Sequence, residues 1–261
     1  LSVIPLFILM GNFVARAGLA HELFHAAYTF IGHRRGGLAH ATIAACAGFG
    51  AICGSSIATA ATMSKVAYPS MKKLGYSDAL STGVIAAGGT LGIMIPPSIP
   101  LIIYGVITEQ SIGDLFLAGI GPGILLIVLF GIYAYVYARM TKTMAKSDKA
   151  SWSERIAATR ESLPVLILAF MIIGGIYGGI FTPTEAAAAG VGLSLLITKF
   201  WLKTLTLEGL WHSAKDALQT TVVILLVVAG AKLLSQAITI YQIPSEITAL
   251  VSQTIASKEI F

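Results

Sequence analysis

An apolar segment at residues 88–105, GGTLGIMIPPSIPLIIYG, constrains the fold of this chain more than any other stretch. Proline has no backbone N–H and its ring collides with the preceding turn, so Pro96, Pro97 and Pro100 interrupt a helix here. A break at membrane depth persists only where protein or a water-filled cavity surrounds it. The segment therefore predicts a broken helix, about residues 79–108, whose free carbonyls bind a transported ion. A proline kink that only shapes the helix is the open alternative.

The composition indicates a membrane protein. Hydrophobic residues make up 56% of the 261 residues and charged residues 11%, whereas about 25% of a soluble domain is charged. The apolar runs suit helices of about 20 residues and lack the short alternation of an outer-membrane barrel. The net charge of +5 comes from basic residues in short loops, which indicates orientation in the lipid bilayer and not nucleic-acid binding. The predicted fold class is an all-α integral membrane protein, a multi-span helical bundle.

A small-residue stretch at about residues 38–64 predicts a re-entrant helical hairpin. Both flanks are basic, with Arg34 and Arg35 before it and Lys65 after it. Basic flanks favour the cytoplasmic side, and a segment that begins and ends on one side does not cross the membrane. The predicted tip is Gly54-Ser55-Ser56, whose hydroxyls and carbonyls suit a small cation or a carboxylate. An ordinary straight span, and a purely packing role for the small residues, remain open alternatives.

The remaining charges predict the topology and a polar loop. Residues 139–160 contain six Lys or Arg, so a cytoplasmic loop is expected at 139–162. Apolar runs on either side are expected to cross the membrane alternately. An outer amphipathic helix is expected near Pro244–Ser257.

Three further sites stand out. Thr182-Pro183-Thr184-Glu185 has the spacing of a helix capping box, although Glu185 could also be a gating carboxylate. Lys232 lies within an apolar run, where a charge is expensive, so we expect it to face the bundle and pair with a carbonyl or another subunit. Thr59 follows the hairpin tip, on the second arm.

His21-Glu22-Leu23-Phe24-His25 matches H-E-x-x-H, the pattern of a zinc protease. An intramembrane zinc protease is therefore the rival hypothesis from another functional class. Against it, the motif lies in a short basic segment expected at the membrane interface, and no third ligand follows, although zinc needs three protein ligands plus water. Interfacial histidines explain the pattern more simply, and no catalytic residue is expected.

Four sequence blocks together carry a family resemblance: RRGGLAHATIAA, GSSIATAATMSKVAYPSMKKLGYSDA, GGTLGIMIPPSIPLIIYG and GGIYGGIFTPTEAAAAGV. In this order they resemble the large membrane subunit of tripartite ATP-independent periplasmic (TRAP) transporters. The resemblance implies a sodium-coupled importer of organic acids such as C4-dicarboxylates or sugar acids, in the bacterial inner membrane, with an elevator-type motion. It also implies a periplasmic substrate-binding protein and a small four-helix membrane subunit as partners, and no cofactor beyond sodium. A dicarboxylate/sodium symporter that works without a binding protein is the alternative.

The resemblance also implies two inverted repeats. Residues 1–138 would belong to the first repeat and 163–261 would begin the second. The second hairpin and its broken helix should follow Phe261, and Leu1 lies within an apolar pattern, so we expect a fragment that does not transport alone.

The implied sodium site lies between the hairpin tip and the broken helix. Backbone carbonyls would be its main ligands, assisted by the hydroxyls of Ser55 and Thr90. Many family members have Asp where Thr59 stands, which puts the ion or substrate preference in doubt. The full set of implied binding residues is Gly54, Ser55, Ser56, Gly89, Thr90, Met94 and Pro97, with Pro96 shaping the break.

Overall fold

Helices make up the regular structure of the described part of the chain. The computed structural model describes residues 2–141, 148–204, 206–242 and 245. A π-helical turn, Ile197–Trp201, directly follows the α-helix Pro183–Leu196. Within these described ranges there are ten α-helices: α1 (Val3–Arg16), α2 (Leu19–Ile31), α3 (Gly37–Cys53), α4 (Ser56–Lys73), α5 (Asp78–Met94), α6 (Ile99–Thr108), α7 (Ile112–Met140), α8 (Trp152–Tyr177), α9 (Pro183–Leu196) and α10 (Leu207–Ile240).

The chain divides into two compact units, Leu1–Leu218 and Gln219–Phe261. In the first unit α3 and α5 form the centre: α5 packs against α3 and α4, while α1 and α2 cover α3. Phe49 of α3 and Leu91 of α5 are fully buried. Burying one such side chain contributes about 1.5–3 kcal/mol, so this core fixes the hairpin arms against α5.

Several helices are long and apolar enough to cross a membrane. Among the described residues there are four candidate spans, or five if the bent pair α1 and α2, which meet at 65°, counts as one. The α7 span is 29 residues long, about 40 Å at the helical rise, and exposes Leu125, Leu129 and Ile132. Exposed leucine and isoleucine along a helix of that length suit contact with lipid. The predicted fold class, an all-α integral membrane protein, is confirmed.

The predicted loop at 139–162 is shorter in the structure. Helix α7 extends to Met140, and α8 begins at Trp152, so residues 152–162 are helical. The cause is a capping box: Ser151 Oγ accepts the Glu154 N–H, and the Glu154 carboxylate accepts the Ser151 N–H. Residues 142–147 of the predicted loop lie outside the described residues.

In the second unit, residues 219–240 continue α10. Lys232 is exposed there, and its side chain forms no hydrogen bond or ion pair with any described residue. The expected pairing of Lys232 is therefore not found inside this part of the chain. The outer helix predicted near Pro244–Ser257 lies outside the described residues.

Candidate functional site

The hairpin tip is a tight, internally bonded turn. Gly54 ends α3 with a left-handed φ of +62°, a conformation that favours glycine. Ser55 then adopts an extended backbone and caps α4, since its Oγ accepts the Ala58 N–H at 3.3 Å. The buried Thr59 hydroxyl donates to Ser55 O at 2.8 Å. The predicted tip, Gly54-Ser55-Ser56, coincides with the turn between α3 and α4.

The proline segment breaks the neighbouring helix at residues 95–98. Helix α5 ends at Met94 and α6 begins at Ile99, with a cis peptide between Pro96 and Pro97. Ser98 bridges the gap: its hydroxyl donates to Ile93 O at 2.6 Å, and its Oγ accepts the Leu101 N–H at 3.4 Å. The Ser98 side chain therefore satisfies one backbone group on each side of the break.

The two breaks meet directly. The Ile99 N–H donates to Gly54 O at 3.1 Å, so the first turn of α6 is hydrogen-bonded to the hairpin tip. A methyl group at Gly54 would lie 2.6 Å from Pro97 O, closer than real contacts allow. This junction, formed by residues 54–56 and 95–99, brings the N-termini of α4 and α6 together, and each is capped by a serine.

Glycines bring α5 against the hairpin arms. A methyl group at Gly92 would lie 2.6 Å from Thr59 Oγ1 and 2.8 Å from Ser55 O. One at Gly89 would lie 3.2 Å from Ser56 O, and one at Gly50 would lie 2.6 Å from the Gly92 Cα. The backbones of α3, α4 and α5 can touch only because these positions lack side chains.

An ion pair joins the far ends of the same helices. Lys72 Nζ lies 2.6 Å from Asp78 Oδ1, and the Tyr68 hydroxyl donates to the same oxygen at 2.8 Å. The hydrogen bond to Asp78 raises the pKa of both Lys72 and Tyr68. Lys72 and Asp78 are both exposed, so this ion pair orients the turn between α4 and α5 and adds little stability.

The structure brings most of the predicted binding residues together. Gly54, Ser55 and Pro97 meet at the junction, and Gly89 lies beside Ser56. Ser98, Gly50 and Gly92 also shape the junction, although sequence reasoning did not select them as site residues. The signal for Ser98 was its place directly after Pro96-Pro97, where a helix restarts and needs a cap.

Two predicted ligands are placed differently from the rest. Thr90 is exposed and its hydroxyl donates to Ala87 O at 2.6 Å, which leaves the oxygen lone pairs free. The Met94 carbonyl points to α7, because a methyl group at Gly119 would lie 2.8 Å from Met94 O. Neither of these two contacts involves a residue of the hairpin tip.

The junction has no charged side chain. Residues 50–60 and 88–99 contain no Asp, Glu, Lys, Arg or His. The electrostatic field there comes from peptide groups, with the positive ends of the α4 and α6 dipoles at the N-termini and carbonyl oxygens beside them. Such a site can stabilise a carboxylate at the helix N-termini and a small cation at the oxygens.

The capping box predicted at α9 is confirmed. The Glu185 carboxylate accepts the Thr182 N–H at 2.8 Å, and Thr182 Oγ1 accepts the Glu185 N–H at 3.3 Å. The backbone hydrogen bond from Thr182 lowers the pKa of Glu185. This contact explains the residue types at this spacing without a gating role.

The H-E-x-x-H residues lie on α2, and the described part of the chain supplies no complete set of metal ligands beside them. His21 is exposed, and His25 Nδ1 lies 3.4 Å from Glu161 Oε2 of α8. Within the described ranges, no three His, Cys, Asp or Glu side chains are grouped closely enough to bind a metal. A zinc protease therefore has no structural support in that part of the chain.

Comparison with known proteins gives consistent results. The whole chain, residues 1–261, matches the family described as the DctM component of tripartite ATP-independent periplasmic transporters. It is 42% identical over 247 residues to the ectoine TRAP transporter large permease protein TeaC of Halomonas elongata, covering 95% of this chain and 58% of TeaC.

Two further relatives carry other substrate names. The chain is 38% identical over 253 residues to the C4-dicarboxylate TRAP transporter large permease protein DctM of Pseudomonas aeruginosa, covering 97% of this chain and 59% of the relative. It is 35% identical over 244 residues to the sialic acid TRAP transporter large permease protein SiaM of Vibrio cholerae, covering 94% of this chain and 57% of SiaM. The chain thus spans less than two thirds of the length of these curated relatives.

Proposed function

The chain belongs to the DctM component family of TRAP transporters, and we propose that it forms part of the permease subunit of a sodium-coupled, binding-protein-dependent importer of organic acids. It is a multi-pass integral protein of the bacterial inner membrane and belongs to a family of transporter subunits, not enzymes. The proposed partners are a periplasmic substrate-binding protein and a small four-helix membrane subunit, separate or fused.

One observation carries the proposed transport site: the hydrogen bond from the Ile99 N–H to Gly54 O, which joins two helix breaks at 3.1 Å. Broken helices that meet in the membrane supply helix N-termini for an anionic substrate and carbonyl oxygens for a sodium ion. Since residues 50–60 and 88–99 carry no charged side chain, ion recognition there depends mainly on these backbone groups, assisted by neutral hydroxyls.

We propose an organic acid as the substrate class. C4-dicarboxylate and sialic acid, the substrates named for two relatives, are organic acids. A carboxylate also suits the paired N-termini of α4 and α6. The particular acid would be set largely by the binding protein, so the ligand of that protein identifies it.

Elevator motion requires the hairpin and the broken helix to move as one body. The close approaches of Gly50 to Gly92 and of Gly89 to Ala60 support a rigid block of α3, α4, α5 and α6. Spin labels at exposed Ser64 and Ala86 test this block. Their separation should not change when sodium and substrate are added to the full-length complex, and a shift of several ångströms contradicts the block.

Uptake by the full-length complex in proteoliposomes tests the proposed function. Substrate should accumulate only when a sodium gradient and the binding protein are both present. Uptake that is indifferent to both removes the mechanism. Uptake that needs sodium but not the binding protein identifies instead the dicarboxylate/sodium symporter type.

The proposed sodium ligands have their own test. Ser55→Ala combined with Thr90→Ala removes two hydroxyl oxygens, so a higher sodium concentration should be needed for half-maximal uptake. Thr62→Ala, on the same hairpin arm as Ser55, is the matched control and should leave the sodium requirement unchanged. Equal sodium dependence in the double variant and the parent, at equal protein abundance, refutes the ligand assignment.

A further inference from the structure

A basic cavity lies at the end of the first unit where α2 turns into α3 and α7 ends. Its volume is about 510 Å³. The cavity is lined by Ile31, His33, Arg34, Arg35, His40, Tyr135 and Arg139. Three arginines and two histidines thus surround one space at the N-terminal end of α3, whereas the hairpin tip lies at its C-terminal end.

Close packing holds the walls of this cavity together. Gly36 has a left-handed φ of +68°, and a methyl group there would lie 2.8 Å from Ala138 Cβ and 3.2 Å from Ala134 O. His40 Nδ1 donates to Gly36 O at 2.8 Å. The α2–α3 turn is therefore seated on the last turns of α7, which places Arg34 and Arg35 beside Arg139.

Among the residues that the structure describes, no carboxylate pairs with the arginines of the cavity. Arg34, Arg35 and Arg139 form no ion pair with a carboxylate within the described ranges, although two other Arg–Asp or Lys–Asp pairs occur in them. Arg139 instead lies over the Tyr135 ring, 5.8 Å from its centroid. The Nδ1 atom of His33 is shielded and has no hydrogen-bond partner in the same part of the chain. Converging cations repel one another, so an anion is needed to offset them.

We propose that this basic cavity binds a phosphate group, presented by an anionic phospholipid headgroup or by a soluble phosphate ester. Arginine offers paired N–H donors that match phosphate oxygens, and basic recesses between membrane helices on the cytoplasmic side suit lipid headgroups. The cavity lies at the basic, predicted cytoplasmic end of α7. Exposed Val136 and Ile132, one and two turns before Arg139 on α7, offer an apolar surface for acyl chains, which favours the lipid source.

Lipid binding to the full-length permease complex, followed by native mass spectrometry, tests the proposal. Phosphatidylglycerol is the anionic probe and phosphatidylcholine the neutral comparison. Arg34→Gln combined with Arg139→Gln should lower phosphatidylglycerol affinity about tenfold or more, since each lost cation removes a charge-assisted contact. The matched control is Lys65→Gln with Lys73→Gln, which removes the same charge from exposed positions that do not line the cavity and should change affinity less than twofold.

A charge-preserving pair keeps the test interpretable if the glutamine variant folds poorly. Arg34→Lys with Arg139→Lys should retain most of the phosphatidylglycerol affinity. Equal losses of affinity in the Arg34/Arg139 and the Lys65/Lys73 glutamine variants overturn the proposal. Equal binding of both lipids by the parent protein also overturns it when phosphate binding does not depend on the two arginines. Inorganic phosphate is the third probe: binding that depends on the two arginines, without a preference for phosphatidylglycerol, supports the phosphate site and identifies a soluble source.

Discussion

Replacing Gly54 with alanine tests the contact between the hairpin tip and the broken helix. The Gly54 φ of +62° costs a non-glycine residue about 1–2 kcal/mol. The added methyl group would also lie 2.6 Å from Pro97 O, a backbone atom held by the Pro96-Pro97 segment, and such overpacking costs a further ~1–3 kcal/mol. We therefore expect Gly54→Ala to lower the free energy of unfolding by about 2–5 kcal/mol.

A Gly179→Ala control separates the cost of the left-handed backbone from the cost of overpacking. Gly179 has a similar φ of +69°, but no atom lies within 4 Å of the position of an added methyl group. This control should lose only the left-handed backbone cost of about 1–2 kcal/mol. Equilibrium unfolding of the purified full-length permease in mixed detergent micelles measures both variants. Equal losses in Gly54→Ala and Gly179→Ala would refute the close contact at the junction.

Three further outcomes are expected. Gly92→Ala should destabilise the full-length protein by about 1–3 kcal/mol and reduce uptake. Gly83→Ala, at a position with open space around it, should be neutral or slightly stabilising in the same unfolding assay. Equal stability of the two variants would contradict the packing of α5 on the hairpin. Thr182→Ala should cost about 1 kcal/mol by removing the α9 cap, and an unchanged unfolding midpoint would contradict this role. Because the folded-state pKa of Glu185 lies below the ordinary value of 4.5, its stabilisation is present above that pH and is lost as the pH falls through the folded pKa. The Glu185→Gln variant should therefore lose less stability than the parent protein when the pH falls below about 4.5, as measured by thermal unfolding. The same acid-dependent loss in variant and parent would contradict this role of Glu185.

The helix breaks could be predicted from the sequence because they depend on local chemistry. Pro96 and Pro97 cannot continue a helix in any environment, and Gly54 before two serines is a strong helix-end signal. The start of α8 also has a local signal in the sequence, since Ser151 and Glu154 have capping-box spacing. The loop predicted at 139–162 did not take this signal into account.

The contacts across the site could not be predicted in the same way, because they depend on tertiary packing. The hydrogen bond from Ile99 to Gly54 O joins residues 45 positions apart, and nothing in either local sequence specifies it. Thr90 illustrates the limit: it adjoins Gly89, which faces the hairpin, but the next residue on a helix points about 100° away. The packing of α5 on α4 determines that Gly89, and not Thr90, faces the hairpin.

A cryo-EM map of the full-length complex, compared with and without sodium, tests the central claim most directly. The account predicts that both maps show breaks at residues 54–55 and 95–98 in contact through Gly54 and Ile99, and that sodium adds a density peak surrounded by oxygen atoms at this junction. A straight helix through residues 37–73, or a sodium-dependent peak only at another place, would contradict it.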